Sequence, residues 1–125
     1  MNAPIDLELP AAPAAIAQAR AAVDRIPDEA PTMMNNLRLL VSELVTNSIR
    51  HADLGEGARI LLHIEVEPAV VRVEVTDAGA GFVPHVPSVT IAQDSGWGLY
   101  LVEQIADRWG VTQDDGTCVW FELDR

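Results

Sequence analysis

Asn36, Glu43, Asn47 and Arg50 stand at spacings that bring different chemistries to one place. At 100° per residue on a helix they fall within roughly 60° of one another. A carboxylate, a carboxamide and a guanidinium thus share the edge of an apolar stripe formed by Leu37, Val41 and Leu44. An amide oxygen can ligand Mg²⁺ and a guanidinium can grip phosphate. The same residues also read as a solvated polar edge held by i,i+4 contacts.

Two further segments bear on chemistry. Asp77-Ala78-Gly79-Ala80-Gly81 directly follows a strand pattern. Bare glycines there let backbone approach a ligand, and an Asp at a strand end can accept from an exocyclic amine. A plain turn explains the same residues. Ser95-Gly96-Trp97-Gly98 opens a helical pattern. The free N–H groups and positive dipole end of such an N-terminus suit a phosphate, and an N-cap by Ser95 accounts for the serine alone. The segment is neither the dinucleotide fingerprint nor a P-loop.

The elements that must hold these residues follow from apolar period. Ile5, Leu7 and Leu9 alternate with acids and predict a first strand, and residues 13–25, rich in Ala, predict a helix ending before Pro27. A longer helix runs from about Thr32 to Ala52 on the spacing of Met34, Leu37, Val41, Leu44 and Val45. Ile60 to Val66 and Val71 to Val75 alternate about the Glu67-Pro68 break, which predicts an antiparallel hairpin. Phe82 to Ser95 shows no period and predicts a mobile loop. Gly96 to Trp109 predicts a third helix, with Leu99, Val102, Ala106 and Trp109 on one stripe and Gly110 as its C-cap. A strand from Val111, a tight turn at Asp114-Asp115-Gly116 and a last strand to Leu123 complete the order. Trp109 and Trp120 read as core, while His63 faces the less apolar side of its strand. The expected class is α+β: a two-layer α/β sandwich, one mixed, mostly antiparallel sheet with helices on one face, forming a single domain over residues 1–125.

Composition bounds the function. With 125 residues, 49% of them hydrophobic, there is room for one core and one domain. No apolar run approaches the roughly 20 residues of a membrane span, so neither membrane insertion nor disorder is expected. The 8 basic residues face 19 acidic ones, and a net charge of −11 repels nucleic acid and anionic lipid. All the basic residues are Arg, which excludes Schiff-base chemistry and a P-loop lysine. The single Cys118 and the absence of a basic, apolar leader suit a cytoplasmic protein.

Taken together, Glu43-Leu-Val-Thr-Asn47-Ser-Ile-Arg50-His51, Asp77-x-Gly79-x-Gly81 and Gly96-x-Gly98-Leu99 resemble, in order and spacing, the N, G1 and G2 boxes of the GHKL ATPases. The ATP-binding fold of histidine kinases, gyrase and Hsp90 is shared across that superfamily. The phrase Ser-Glu-Leu-Val-Thr-Asn at 42–47, the short chain and the closing Val119-Trp120-Phe121-Glu122-Leu123 resemble its anti-sigma-factor serine kinases. The resemblance implies Glu43 as general base, Asn47 as Mg²⁺ ligand, Arg50 near the phosphates, His51 beside the adenine and Asp77 on the adenine amine. It also implies that Gly79, Gly81, Gly96, Trp97, Gly98 and Leu99 shape the adenine and phosphate loops. Trp97 reads equally as a partner contact and as packing under the loop. A Thr entering the last strand often helps hold the adenine in such proteins; Thr117 and Cys118 share that neighbourhood here, and the register between them is open. The loop over the site carries no Arg, which leaves phosphate charge to Mg²⁺, Arg50 and backbone N–H groups.

The resulting expectation is an Mg·ATP-dependent serine/threonine kinase and anti-sigma regulatory factor that phosphorylates a partner-switching antagonist protein. Its alternative is an ATP-binding module that sequesters a sigma factor or other regulator without kinase activity. Both readings imply protein partners, neither involves nucleic acid or membrane, and either is compatible with a homodimer.

Overall fold

In the computed structural model, residues 3–27, 29–51, 59–77, 97–114 and 116–125 are described. Among these residues five strands and three helices follow one another as β1 (Ile5–Pro10), α1 (Ala14–Val23), α2 (Pro31–His51), β2 (Arg59–Val66), β3 (Val70–Asp77), α3 (Trp97–Ile105), β4 (Arg108–Asp114) and β5 (Gly116–Asp124). The strands form one sheet in the order β1-β2-β3-β5-β4. Every pairing in it is antiparallel, at the antiparallel end of the mixed sheet expected from the sequence.

Alternation sets which face is buried. Ile5 and Leu9 of β1, Ile60, Leu62 and Ile64 of β2, Val71, Val73 and Val75 of β3, and Phe121 and Leu123 of β5 point to the helices and are buried. From the helices come Ala15, Ala19, Ala22 and Val23 of α1 and Leu37, Leu40, Val41, Leu44 and Val45 of α2. The small side chains of α1 let it lie close to α2, where Arg38 Nε donates to Asp24 Oδ1 at 2.8 Å across the pair. After Val23 the amides of Asp24, Arg25 and Ile26 turn to carbonyls three residues back, and the helix is spent before Pro27. Pro31 opens α2 at the first helical position, where its missing N–H leaves nothing unpaired.

The third helix is shorter than its apolar spacing suggests. Leu99 and Val102 are buried, but the last helical hydrogen bond is Ala106 N–H to the Val102 carbonyl, and Asp107 N–H already donates to the Glu122 carbonyl of β5. Trp109 and Gly110 are therefore strand residues opposite Phe121 and Trp120. The helical stripe runs on through Ala106 and Trp109 because both still pack against the same core, from beyond the helix end. Sheet pairing with a distant strand overrode the local period. Gly110 is a contact point rather than a helix cap: a Cβ there would lie 2.8 Å from the Trp120 indole nitrogen.

The two indoles divide between the faces. Trp109 packs half-buried against the core, and its Nε1 donates to Glu103 of α3 at 2.5 Å. Trp120 belongs instead to the outer face, under the Arg72 guanidinium 4.2 Å from its ring centre, which corrects its assignment to the core. Arg72 pairs there with Glu74 at 2.9 Å and Glu122 at 3.0 Å, and Arg108 continues the ladder to Glu122 and Asp124.

Candidate functional site

The polar residues of α2 ride on a buried stripe. Leu37, Val41 and Leu44 lie against the sheet, and the next position on that stripe is Ser48, a polar residue that is almost wholly buried. Glu43 and Asn47 flank the stripe half-buried, and Arg50 is exposed. The two hydroxyls between them are spoken for: Ser42 Oγ donates to the Arg38 carbonyl at 2.6 Å and Thr46 Oγ1 to the Ser42 carbonyl at 2.7 Å. Such back-bonding ties up the hydroxyls of Ser42 and Thr46, leaving Glu43, Asn47, Ser48 and Arg50 as the other polar side chains of this stretch of the helix.

Across from α2, β3 ends on Asp77, the single acid of the sheet's buried face and 6% exposed. Burial pushes its carboxyl up to about 6, and the neighbouring Ser48 hydroxyl counters part of that rise by favouring the charged form. At neutral pH Asp77 is thus an ionised acceptor in a dry setting. Its Oδ1 has no hydrogen-bond partner among the described residues, and neither has the buried Asn47 Nδ2. Leaving such a group unpaired costs about 1–3 kcal/mol, so these atoms stand where a ligand would complete them.

Gly116 shapes the far wall. Its φ of +113° is one that side-chain-bearing residues rarely adopt, and a Cβ there would sit 2.1 Å from the Asp77 carbonyl oxygen. Only glycine lets β5 enter the sheet this close to the end of β3. Its register also answers the question left open by the sequence. Thr76 and Cys118 are opposed on the outer face, so the next pair along, Asp77 and Thr117, turns to the helix side. Thr117 shares the face of Asp77, and the Cys118 thiol is directed away from it.

Of the residues expected at the site, Asp77 lies beside Ser48 of α2, Thr117 shares the sheet face of Asp77, and Glu43 and Asn47 stand half-buried on α2. Leu99 is buried in the core at 6% exposure, under the first turn of α3. The backbone of His51 ends α2 and that of Trp97 and Gly98 begins α3. Gly79, Gly81, Gly96 and the loop expected at 82–95 lie outside the described residues. Sequence reasoning passed over Ser48 and Gly116. A hydroxyl in the apolar rhythm of Leu37, Val41 and Leu44 was the signal for the first, and the Asp-Asp-Gly turn for the second.

The set can do three things: accept a hydrogen bond from an amine at Asp77, offer a carboxamide to a cation at Asn47, and take a proton at Glu43. The Asn47 amide presents either its nitrogen or its oxygen after a half-turn of its last torsion, and the oxygen suits a hard divalent cation. Both buried, unpartnered groups therefore fit an adenine nucleotide with its Mg²⁺.

Comparison with known proteins points the same way. The family model described as histidine kinase-like ATPase domain matches residues 9–123. The chain is 28% identical over 134 aligned positions to the serine-protein kinase RsbW of Listeria innocua serovar 6a, covering 95% of this chain and 85% of that protein. It is 31% identical over 102 positions to the anti-sigma F factor of Pasteuria penetrans, covering 71% of this chain and 68% of the relative.

Proposed function

Since the chain belongs to the histidine kinase-like ATPase domain family, we propose that it binds Mg·ATP at the seam of α2, β3 and β5 and phosphorylates a serine or threonine of a regulatory partner in the cytoplasm. The observation that carries this reading is the pair of buried polar atoms Asn47 Nδ2 and Asp77 Oδ1, on adjoining elements and without a partner among the described residues. The names of its relatives, a serine-protein kinase and an anti-sigma factor, support a partner-switching circuit with an anti-sigma-factor antagonist as phosphoacceptor and a sigma factor as the other partner.

Bound Mg·ATP supplies the transferable phosphoryl group and the cation that neutralises it. Asp77 accepts from the exocyclic amine of the base, with Thr117 on the same face as a second hydrogen-bonding group. Asn47 would hold Mg²⁺ with its carboxamide, and Arg50, exposed at the end of α2, would meet phosphate charge. The first-turn N–H groups of α3 would face phosphate as a helix N-terminus does. Glu43, one turn before Asn47, takes the proton of the incoming hydroxyl. Transfer then depends on positioning and charge neutralisation, as phosphoryl transfer generally does.

The deciding experiment compares wild type with Glu43→Ala for ATP affinity, partner affinity and transfer of labelled phosphate to candidate antagonist proteins. Wild type labels a Ser or Thr. The variant loses roughly 10²- to 10⁴-fold in transfer, while ATP affinity holds or rises because a negative charge beside phosphate has gone. Undiminished transfer would remove Glu43 from the mechanism. A wild type that binds ATP and its partner tightly yet transfers nothing would make the protein a sequestering module instead.

A further inference from the structure

The outer face of the sheet carries a group that the nucleotide reading does not use. His63 of β2 stands opposite Asp6 of β1 on one side and Glu74 of β3 on the other. Both of its ring nitrogens meet carboxylates: Nδ1 lies 2.6 Å from Asp6 Oδ1 and Nε2 lies 3.2 Å from Glu65 Oε1. A carboxylate only accepts, so each nitrogen must carry a proton, and this arrangement is that of the imidazolium. A neutral ring would keep one bond and turn a lone pair on the other carboxylate.

The charges around the ring make that loss matter. Asp6 and Glu8 face it from β1, Glu65 from its own strand and Glu74 from β3, with His63, Glu74 and the two β1 acids lining one hollow of about 510 Å³. Of the other cations on this face, Arg72 of β3 is already engaged by Glu74 and Glu122, and Arg59 of β2 stands opposite Pro10 at the far end of β1. Among the described residues, the protonated His63 ring thus bridges Asp6 of β1 and Glu65 of β2 across the β1–β2 pairing. β1 is the edge of the sheet and pairs with β2 alone.

We propose that His63 is a proton-dependent clamp on the edge strand β1, fastening it to β2 while the ring carries both protons and loosening it when one is lost. Burial of the ring opposes its charge, but the hydrogen bonds to Asp6 and Glu65 and the nearby charges of Asp6 and Glu74 outweigh it, so the pKa is raised above the ordinary histidine value. A raised folded-state pKa gives stability that is full below the unfolded value and is lost as pH rises through the folded one. Loosening β1 uncovers the backbone edge of β2, a ready template for another strand.

NMR on the full chain tests this. The His63 ring signals should titrate above 6.5, and the exchange protection of amides 5–9 should fall roughly threefold relative to β3 and β5 between pH 6 and pH 9, the scale of an exposed ion pair. Asp6→Asn should lower the titration midpoint and shrink that fall, and His63→Gln should abolish it in β1 alone. A midpoint at or below 6.5, β1 protection that tracks β3 and β5 throughout, or an unchanged pH response in His63→Gln would overturn the proposal.

Discussion

At the scale of single residues, Asp77 sets binding against stability. Its carboxyl holds a proton up to about pH 6 in the folded chain, against about 3.9 unfolded. The group's contribution is therefore full below pH 4 and is lost as pH rises through 6, at a cost of about 2–3 kcal/mol by neutral pH. Asp77→Asn should remove that loss, so urea unfolding at pH 4, 5, 6 and 7 should show wild type falling behind the variant step by step. The same substitution should weaken ATP binding and narrow any preference for ATP over GTP, because an amide can donate to the guanine oxygen where a carboxylate only repels it. Calorimetry with both nucleotides checks this. Asn47→Ala should act differently, abolishing the Mg²⁺ dependence of binding while leaving base preference intact.

Elements fix where those residues stand, and two fasteners do much of it. Gly116 lets β5 start against the Asp77 carbonyl at a positive φ. Gly116→Ala should cost at least about 2 kcal/mol in denaturant unfolding, and ATP affinity should drop with it because the end of β3 must move. At the opposite end of the sheet Arg125 Nε pairs at 2.5 Å with Glu29, whose side chain is 8% exposed, and Arg125 Nη1 donates to the Glu67 carbonyl at 2.8 Å. That residue ties the approach to α2 to the turn between β2 and β3. Arg125→Ala leaves a buried carboxylate uncompensated and should lower stability by about 1–3 kcal/mol, with nucleotide affinity unchanged since the site is at the other end. Parallel unfolding and binding measurements separate these two fasteners.

For the molecule as a whole, net charge and ligand binding dominate. A formal −11 on 125 residues makes the folded state self-repelling. Raising NaCl from low concentration to a few hundred millimolar should therefore raise Tm, as screening relieves repulsion. On the proposed function, Mg·ATP would bind the folded state, and at about 100 times its Kd should add about 2.7 kcal/mol, roughly 10 °C in Tm at this size. A flat thermal-shift titration to millimolar nucleotide, with and without Mg²⁺, would exclude a nucleotide site.

The sequence by itself determined the order of the described elements, the stripe of α2 and that Glu43 and Asn47 stand on α2 and Asp77 ends β3, because each depends on a local period that one chain segment carries alone. It left the end of α3 wrong, since Leu99, Val102, Ala106 and Trp109 keep a helical rhythm although Trp109 reaches the core from a strand. Trp120 could not be placed either, because an indole in an alternating strand suits either face until Arg72 of another strand is seen above it. The tertiary structure alone decided the register of β5, hence that Thr117 rather than Cys118 joins Asp77. It also alone showed that His63 lies between carboxylates of two strands. Those are contacts between residues far apart in the chain, and hydrogen-bond register across a sheet is set by the partner strand, which no local pattern encodes.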